Sequence, residues 1–374
     1  MQSALASRPK TARLSTFAVH GRARTPLQKW FVEGLEGELV SNGHPRPAPG
    51  VQPEVVVNVL DESRPKPFRR NSQGTFVISV VEVDNQPENM LRAAYPVLVR
   101  SISNLLIYIT HTPDGAMANF VTLEQGYSTV PVPDGAPESF FAEVYRRVAP
   151  LASSRLVINN IFNRDLPKQL WDGDEKTRSL TEAGRWLDSV NLLPAAFPIT
   201  EIFDERDMMH VRRLFGIGGL SYGNLSTRRD DNSFWMSARG VDKGNLLEVG
   251  RDILLITGYV SEKDAMVVSV PPSVEPRGAS VDAIEHWMLY QEHPGIGAII
   301  HVHAWLDGID STLTNYPCGT YELAHEVAQL ARRQPDPSRA VIGLRNHGLT
   351  ITGHSLADII ERIDGRLLPT VPMM

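Results

Sequence analysis

AIIHVHAWLDG, residues 298–308, carries two histidines one residue apart at the end of a short apolar run. The run follows a Pro-Gly pair at 294–295 and reads as a buried strand. Side chains on a strand alternate between its two faces. His301 and His303 therefore share a face, with Cβ atoms about 7 Å apart from the rise per residue. At that spacing two imidazoles can be neighbouring ligands of one divalent ion. They can equally be strand residues bonded to backbone or water, so the decision falls to what surrounds them.

Downstream, VIGLRNHGLTITG (341–353) reads as strand, turn, strand. His347 stands where the first apolar run ends, beside a glycine that allows a tight turn. It is a third ligand or a solvated turn residue. Upstream, SVDAIEHWMLYQEHPG (280–295) reads as a helix, with Ser280 as N-cap and Asp282 in the first turn. Asp282 and His286 lie four apart, on one helical face. Asp282 is either a capping carboxylate or an acid/base group at the mouth of a metal site. Farther upstream, GIGGLSYGNLSTRR (216–229) and FWMSARGVDKG (234–244) are rich in Gly, Asn, Ser and Thr, a composition that offers backbone N–H groups to an anion. Ser221 replaces the third glycine of a dinucleotide fingerprint, and no GK[ST] follows, so neither nucleotide motif is present.

In order and spacing, GGLSYGNLS, MSARGVDKG, SVDAIEH, AIIHVHA and LRNHGLTITG resemble the class II aldolase/adducin family, over about residues 197–367. The resemblance implies an α/β/α sandwich around a mixed, largely antiparallel sheet, and a homo-oligomer, often a tetramer. It implies metal ligation by His301, His303 and His347, with Asp282 as the acid/base group. It implies substrate or anion contacts at Asn224, Ser237, Gly240 and Ser280. Two departures bear on the substrate. Val281 replaces the second serine of the family's pair, which puts a phosphorylated substrate in doubt. Arg239 stands inside the second motif and could grip a carboxylate bidentately.

The function this implies is a metal-dependent carbon–carbon lyase of the retro-aldol type. Its substrate would be a small hydroxy-carbonyl compound, sugar-like or a 2-oxo/hydroxy acid, cleaved through a metal-stabilised enediolate. Zinc is the expected ion, with iron, manganese and cobalt as alternatives. Tyr222, Tyr321 and His286 are candidates to protonate the other fragment or to support the ligands. Epimerisation and decarboxylation share the enediolate. An Fe(II) oxygenase-like use of three histidines, and a non-catalytic adducin-like binding module, also stay open.

The bulk numbers agree with such an enzyme. The chain has 374 residues, 42% of them hydrophobic, and a net charge of −6, which gives no electrostatic case for nucleic acid. No apolar run nears the roughly 18 residues of a membrane span. The single cysteine, Cys318, suits a reducing, cytoplasmic compartment. The expected organisation is a basic, flexible tail and linker at 1–50, a separate α+β domain at 51–165, a helical connector at 166–197 and the aldolase-like domain at 198–374. Strands are expected at 54–60, 75–83, 105–110, 120–132 and 155–162, and helices at 89–103 and 139–151. Eight of the eleven histidines lie at or after His210, which puts metal or acid–base chemistry in the last domain. RPKPFRR (64–70) has four cations in seven residues and reads as a solvated loop or an attractor of anions; no chemistry is assigned to the domain that holds it.

Overall fold

Near-continuous apolar runs, rather than alternating ones, are what strands covered on both faces require. VVVNV at Val55–Val59 is such a strand, buried at every position. It belongs to the first of two compact units, Met1–Ser154 and Arg155–Met374, in a computed structural model. The structure describes residues 14–70, 75–113, 115–123, 126–133, 138–193, 199–214 and 222–372.

In the first unit β1 (Phe17–His20), α1 (Pro26–Ser41), β2 (Val55–Val59), β3 (Phe76–Val83), α2 (Met90–Arg100) and β4 (Leu105–Thr112) precede β5 (Gly115–Thr122), β6 (Gly126–Val132) and α3 (Glu138–Ser153). The six strands lie in sequence order in one sheet. β1 to β4 are parallel and β5 and β6 continue antiparallel. Asn89 caps α2 through its side chain, and Thr25 caps α1 ahead of Pro26 at the first helical turn.

The expected tail at 1–50 is corrected here. β1 pairs with β2, and α1 buries Phe31, Leu35 and Leu39. The basic composition of the first residues obscured the four-residue apolar spacing of α1. The parallel run of four strands was not anticipated either.

The second unit holds β7 (Asn159–Asn163), α4 (Glu175–Ser189), α5 (Ile199–Ile202), α6 (Glu205–Leu214), β8 (Asn224–Asp230), β9 (Ser233–Ser237), β10 (Ile253–Val260) and β11 (Ala265–Ser269). They are followed by α7 (Ala283–Glu292), β12 (Ala298–Val302), α8 (Tyr321–Arg333), β13 (Val341–Leu344), β14 (Gly348–Gly353) and α9 (Leu356–Ile363). Eight strands form one sheet in the order β13-β14-β12-β8-β9-β10-β11-β7. Every pairing is antiparallel except β11 with β7. Helices α7 and α8 pack together against β10 and β13, and α4 and α9 pack together against β8, β9, β12 and β14. This is the mixed, largely antiparallel sheet with helical layers that the resemblance implied.

The boundaries at 165/166 and 197/198 differ from the structural division. β7, expected in the first domain, supplies the last strand of the second sheet. The expected connector contains α4, whose Leu180 and Leu187 lie in the core of the second unit. A strand and a helical segment were both expected here; what composition concealed was that they belong to the second unit, because β7 is an edge strand and α4 has a single apolar stripe. The LLPAAFPIT end of the connector lies largely outside the described residues. Among the described residues no helix is long and apolar enough to cross a membrane.

Candidate metal centre

Strand register builds the centre. His301 of β12 sits directly opposite Asn224 of β8 and Thr350 of β14. Directly paired residues project to the same face, so Asn224, His301 and Thr350 form one row across the three central strands. The N-terminal end of α7 lies over this row. Asn224 Nδ2 donates to Asp282 Oδ2 at 2.6 Å, and Thr350 Oγ1 donates to Glu285 Oε1 at 2.5 Å. The row beside it pairs Ile299 with Ser226, whose hydroxyl meets His286 Nδ1 at 2.7 Å and the Tyr290 hydroxyl at 2.8 Å.

Two glycines bring the backbones close enough for this. A Cβ on Gly223 or Gly348 would collide with the carbonyl oxygen of His301 or of Val302. Gly348 closes the β13–β14 hairpin, where Asn346 takes a left-handed φ of 57° and His347 N–H donates to Leu344 O at 2.9 Å. The hairpin thereby sets His347 against the end of β12, one residue before His303.

The three imidazoles converge. Ring centroids lie 5.2 Å apart for His301 and His303, 4.9 Å for His301 and His347, and 4.8 Å for His303 and His347. One nitrogen from each lies within 4.8 Å of the other two, an arrangement that could hold a metal ion. His301 Nδ1 donates to Leu349 O at 3.0 Å, which turns Nε2 toward the other two rings. That Nε2 is buried with no hydrogen-bond partner. His303 and His347 face each other through Nε2 at 3.0 Å. An orphaned, buried lone pair beside two more imidazole nitrogens fits a divalent ion. Burial first, and then the neighbouring imidazoles, hold His303 and His347 well below the ordinary 6.5. Burial lowers His301 as well, against the opposing charge of Asp282. Neutral imidazoles are the form that ligates.

Asp282 is buried at the N-terminal boundary of α7, yet its side chain makes no capping bond. The helix begins two residues later than expected, so Ser280 is not the N-cap; its carbonyl receives the Ala283 N–H instead. The carboxylate accepts from Asn224 instead of capping the helix.

The expected anion contacts also come together. Ala238 and Ala279 form an antiparallel bridge, and Arg239 N–H donates to Gly278 O at 2.9 Å. This sets Ser237, Arg239 and Gly240 beside Ser280. Gly240 has a φ of 69° and accepts from Arg277 at 3.1 Å. Residues 216–221 of the glycine-rich loop lie outside the described residues. Tyr222 reaches the centre, its ring 5.7 Å from that of His303. His286 instead lies behind it, fully buried and lowered to about 3 by burial and then by His301. Tyr321 is covered by Arg155 at 4.3 Å and stacks on His325, which gives it a packing role.

Four polar residues around the centre were not anticipated. Glu285 is buried beside Asp282, and desolvation followed by that neighbouring charge raises it to about 8. Lys243 is buried where its charge acts on Asp282 and His301; burial lowers it to about 8. Thr350 fills the row, and Cys318 Sγ lies 3.0 Å from His347 Nδ1. Lys243 was visible as the last residue but one of the second motif, whereas Glu285 looked like an exposed helix acid. Cys318 had no local signal.

The second unit is similar to known proteins. Residues 208–305 match the model of the class II aldolase and adducin N-terminal domain, so the resemblance of this region to that family is shown. The methylthioribulose-1-phosphate dehydratase of Klebsiella pneumoniae is 25% identical over 174 residues, covering 38% of this chain and 79% of that protein. The enzyme of that name from Leptospira biflexa is 28% identical over 143 residues, covering 38% of this chain and 58% of its own length. Among solved structures, YgbL of Escherichia coli, a putative aldolase/epimerase/decarboxylase, aligns at 17% identity and a TM-score of 0.34, over 50% of this chain and 82% of that one. Residues 1–154 lie outside the matched family region.

Proposed function

We propose that this chain is a metal-dependent lyase acting on a small hydroxy-carbonyl compound, with His301, His303 and His347 as the metal ligands and Asp282 as the acid/base. The observation that carries the reading is the orphaned Nε2 of His301, buried among two further imidazoles and next to a carboxylate. A divalent ion held there, zinc first among the candidates, supplies Lewis-acid stabilisation of charge that grows on a substrate carbonyl oxygen. Asn224 fixes Asp282 through Oδ2, which leaves Oδ1 to take or return the proton. Buried Lys243 sets a positive charge close to Asp282. Ser237, Arg239, Gly240 and Ser280, with Arg277 alongside, bind the anionic end of the substrate, a phosphate or a carboxylate. Tyr222 flanks the opening beside His303.

Two bond cleavages follow from a proton moved by Asp282. One is the carbon–carbon scission expected from the sequence. The other is loss of water from the neighbouring carbon, which the names of the Klebsiella and Leptospira relatives favour. Both belong to the lyase class.

The experiment is a metal analysis followed by a substrate screen. The purified chain should retain about one divalent ion, and His301→Ala and His347→Ala should each lose it. Turnover should then be sought with hydroxy-ketones, their phosphates and 2-oxo acid aldol adducts. On any hit, Asp282→Asn should lower kcat by roughly 100-fold or more with the metal retained. Equal metal binding by the histidine variants sinks the ligand assignment, and unchanged turnover by Asp282→Asn sinks the acid/base assignment.

A further inference from the structure

The start of α7 carries two carboxyl groups, Asp282 at its boundary and Glu285 three residues on, a spacing that puts both on one helical face. Both are buried. Each reaches the sheet through one hydrogen bond. Asp282 Oδ2 accepts from Asn224 Nδ2 on β8, and Glu285 Oε1 accepts from Thr350 Oγ1 on β14. Strand β12 lies between β8 and β14, and its His301 pairs with Asn224 on one side and Thr350 on the other. The first turn of the helix is therefore tied down at two points, one on each flank of His301.

The two ties differ in charge. The charge of buried Lys243 acts on Asp282 and on His301. The charge that acts on Glu285 is that of Asp282, and the partner it meets on the sheet, Thr350, is neutral. His286, the next residue of the helix, is turned to Ser226 and held neutral by burial. Glu285 Oε2 is buried with no hydrogen-bond partner. An ionised carboxylate there would place an unsolvated charge beside a second carboxylate. The acid form avoids this, and its carbonyl oxygen still accepts from the Thr350 hydroxyl. Asp282 is then the carboxylate of the pair.

We propose that Glu285 is a positioning residue for Asp282: in its acid form, bonded to Thr350, it pins the first turn of α7 from the β14 side while Asn224 holds it from β8, and it leaves Asp282 as the carboxylate that faces the centre. The inference rests on the reading of Asp282 as the acid/base. Glu285 itself takes no proton from substrate. The pin matters because a proton moves only to a base held within hydrogen-bond reach of it, and a small misplacement slows the step.

The test uses the full chain. In metal-free protein, carbon-13 NMR of the glutamate carboxyls, with Glu285 assigned by its loss in Glu285→Gln, should show the acid at pH 6 and its ionisation near pH 8. In Asp282→Asn that midpoint should fall, because a neighbouring negative charge is gone, and stay above the ordinary 4.5, because burial remains. The Glu285 and His286 amides donate to Asp282 O. Thr350→Val should speed their hydrogen exchange by about 10-fold with exchange in β12 unchanged, and Thr350→Ser should keep the protection. Wild type and Thr350→Val should each bind one Co²⁺ per chain. On a hydroxy-ketone that wild type turns over, Thr350→Val should lower kcat by about 10–100-fold with KM kept, and Thr350→Ser should recover most of the loss. An ionised Glu285 at pH 6, a midpoint unmoved in Asp282→Asn, or unchanged first-turn exchange and kcat in Thr350→Val overturns the proposal and leaves the metal centre standing. Unchanged turnover by Asp282→Asn removes the acid/base reading, and this inference with it.

Discussion

Glu285 and His286 are adjacent in sequence, and burial pushes their ionisation in opposite directions. Glu285 is raised from 4.5 to about 8, so the folded chain keeps a proton that the unfolded chain releases. Its contribution to stability is present below pH 4.5 and is lost as pH rises through 8. Glutamine keeps the shape and stays neutral, so Glu285→Gln should gain on wild type between pH 5 and pH 8, by on the order of a few kcal/mol. Urea unfolding of the metal-free proteins at the two pH values measures this, and a difference that does not change with pH refutes it. His286 works the other way. Its folded value of about 3 lies below the ordinary 6.5, so its contribution is lost as pH falls from 6.5 toward 3. At this scale the three histidines that converge were legible as candidate ligands, because HVH and NHG show them as residue types. Glu285 and Cys318 were not. Their settings come from what faces them, Thr350 on the sheet beneath α7 and His347 on the hairpin, and neither partner is near in sequence.

The β13–β14 hairpin shows what an element can and cannot announce. Its strand–turn–strand pattern was readable from the apolar runs and the Asn-His-Gly turn. The reason for the glycine was not. Gly348 is needed for the approach of β14 to the end of β12, where a Cβ would collide with the Val302 carbonyl and lie 3.1 Å from His303 Cα. Gly348→Ala should therefore push the hairpin off β12, cost about 1–3 kcal/mol and weaken metal retention together with stability. Gly37→Ala, in α1 with nothing near the added carbon, should be neutral or slightly stabilising. Calorimetry and metal analysis of both variants check the pair, and a Gly348→Ala protein that keeps its full Tm and metal content refutes the steric account. Among the other elements, β2, β3 and β4 declared themselves through runs rich in valine, isoleucine and leucine. β1 and α1 did not, because charge in the surrounding segment outweighed a modest apolar stripe.

For the whole molecule, the division falls at 154/155 rather than at 165 or 197. β7 pairs with the outer edge of β11, Val157 holds the Cys318 loop, and Leu166 and Leu170 lie in the second core. A fragment of residues 155–374 should accordingly fold and take up metal. A fragment of residues 198–374 strips β7 and α4, bares the β11 edge and should aggregate. Solubility and circular dichroism of the two fragments decide this, and equal behaviour would show that the boundary is misplaced. Sequence reading sought the boundary in composition, and the three polar residues Ser153, Ser154 and Arg155 where the division falls are too short a stretch to stand out.

Asn224, His301 and Thr350 come from three strands, and their alignment into one row has a consequence for how the chain matures. A one-residue slip of β8 or β14 against β12 would turn its member of the row to the other face of the sheet. The slipped chain would lose an anchor for Asp282 or for Glu285, and with it the setting of the ion. An ion that binds only the correctly paired chain draws the population toward that pairing by mass action. The cofactor would then act as a proofreader of assembly before any substrate arrives.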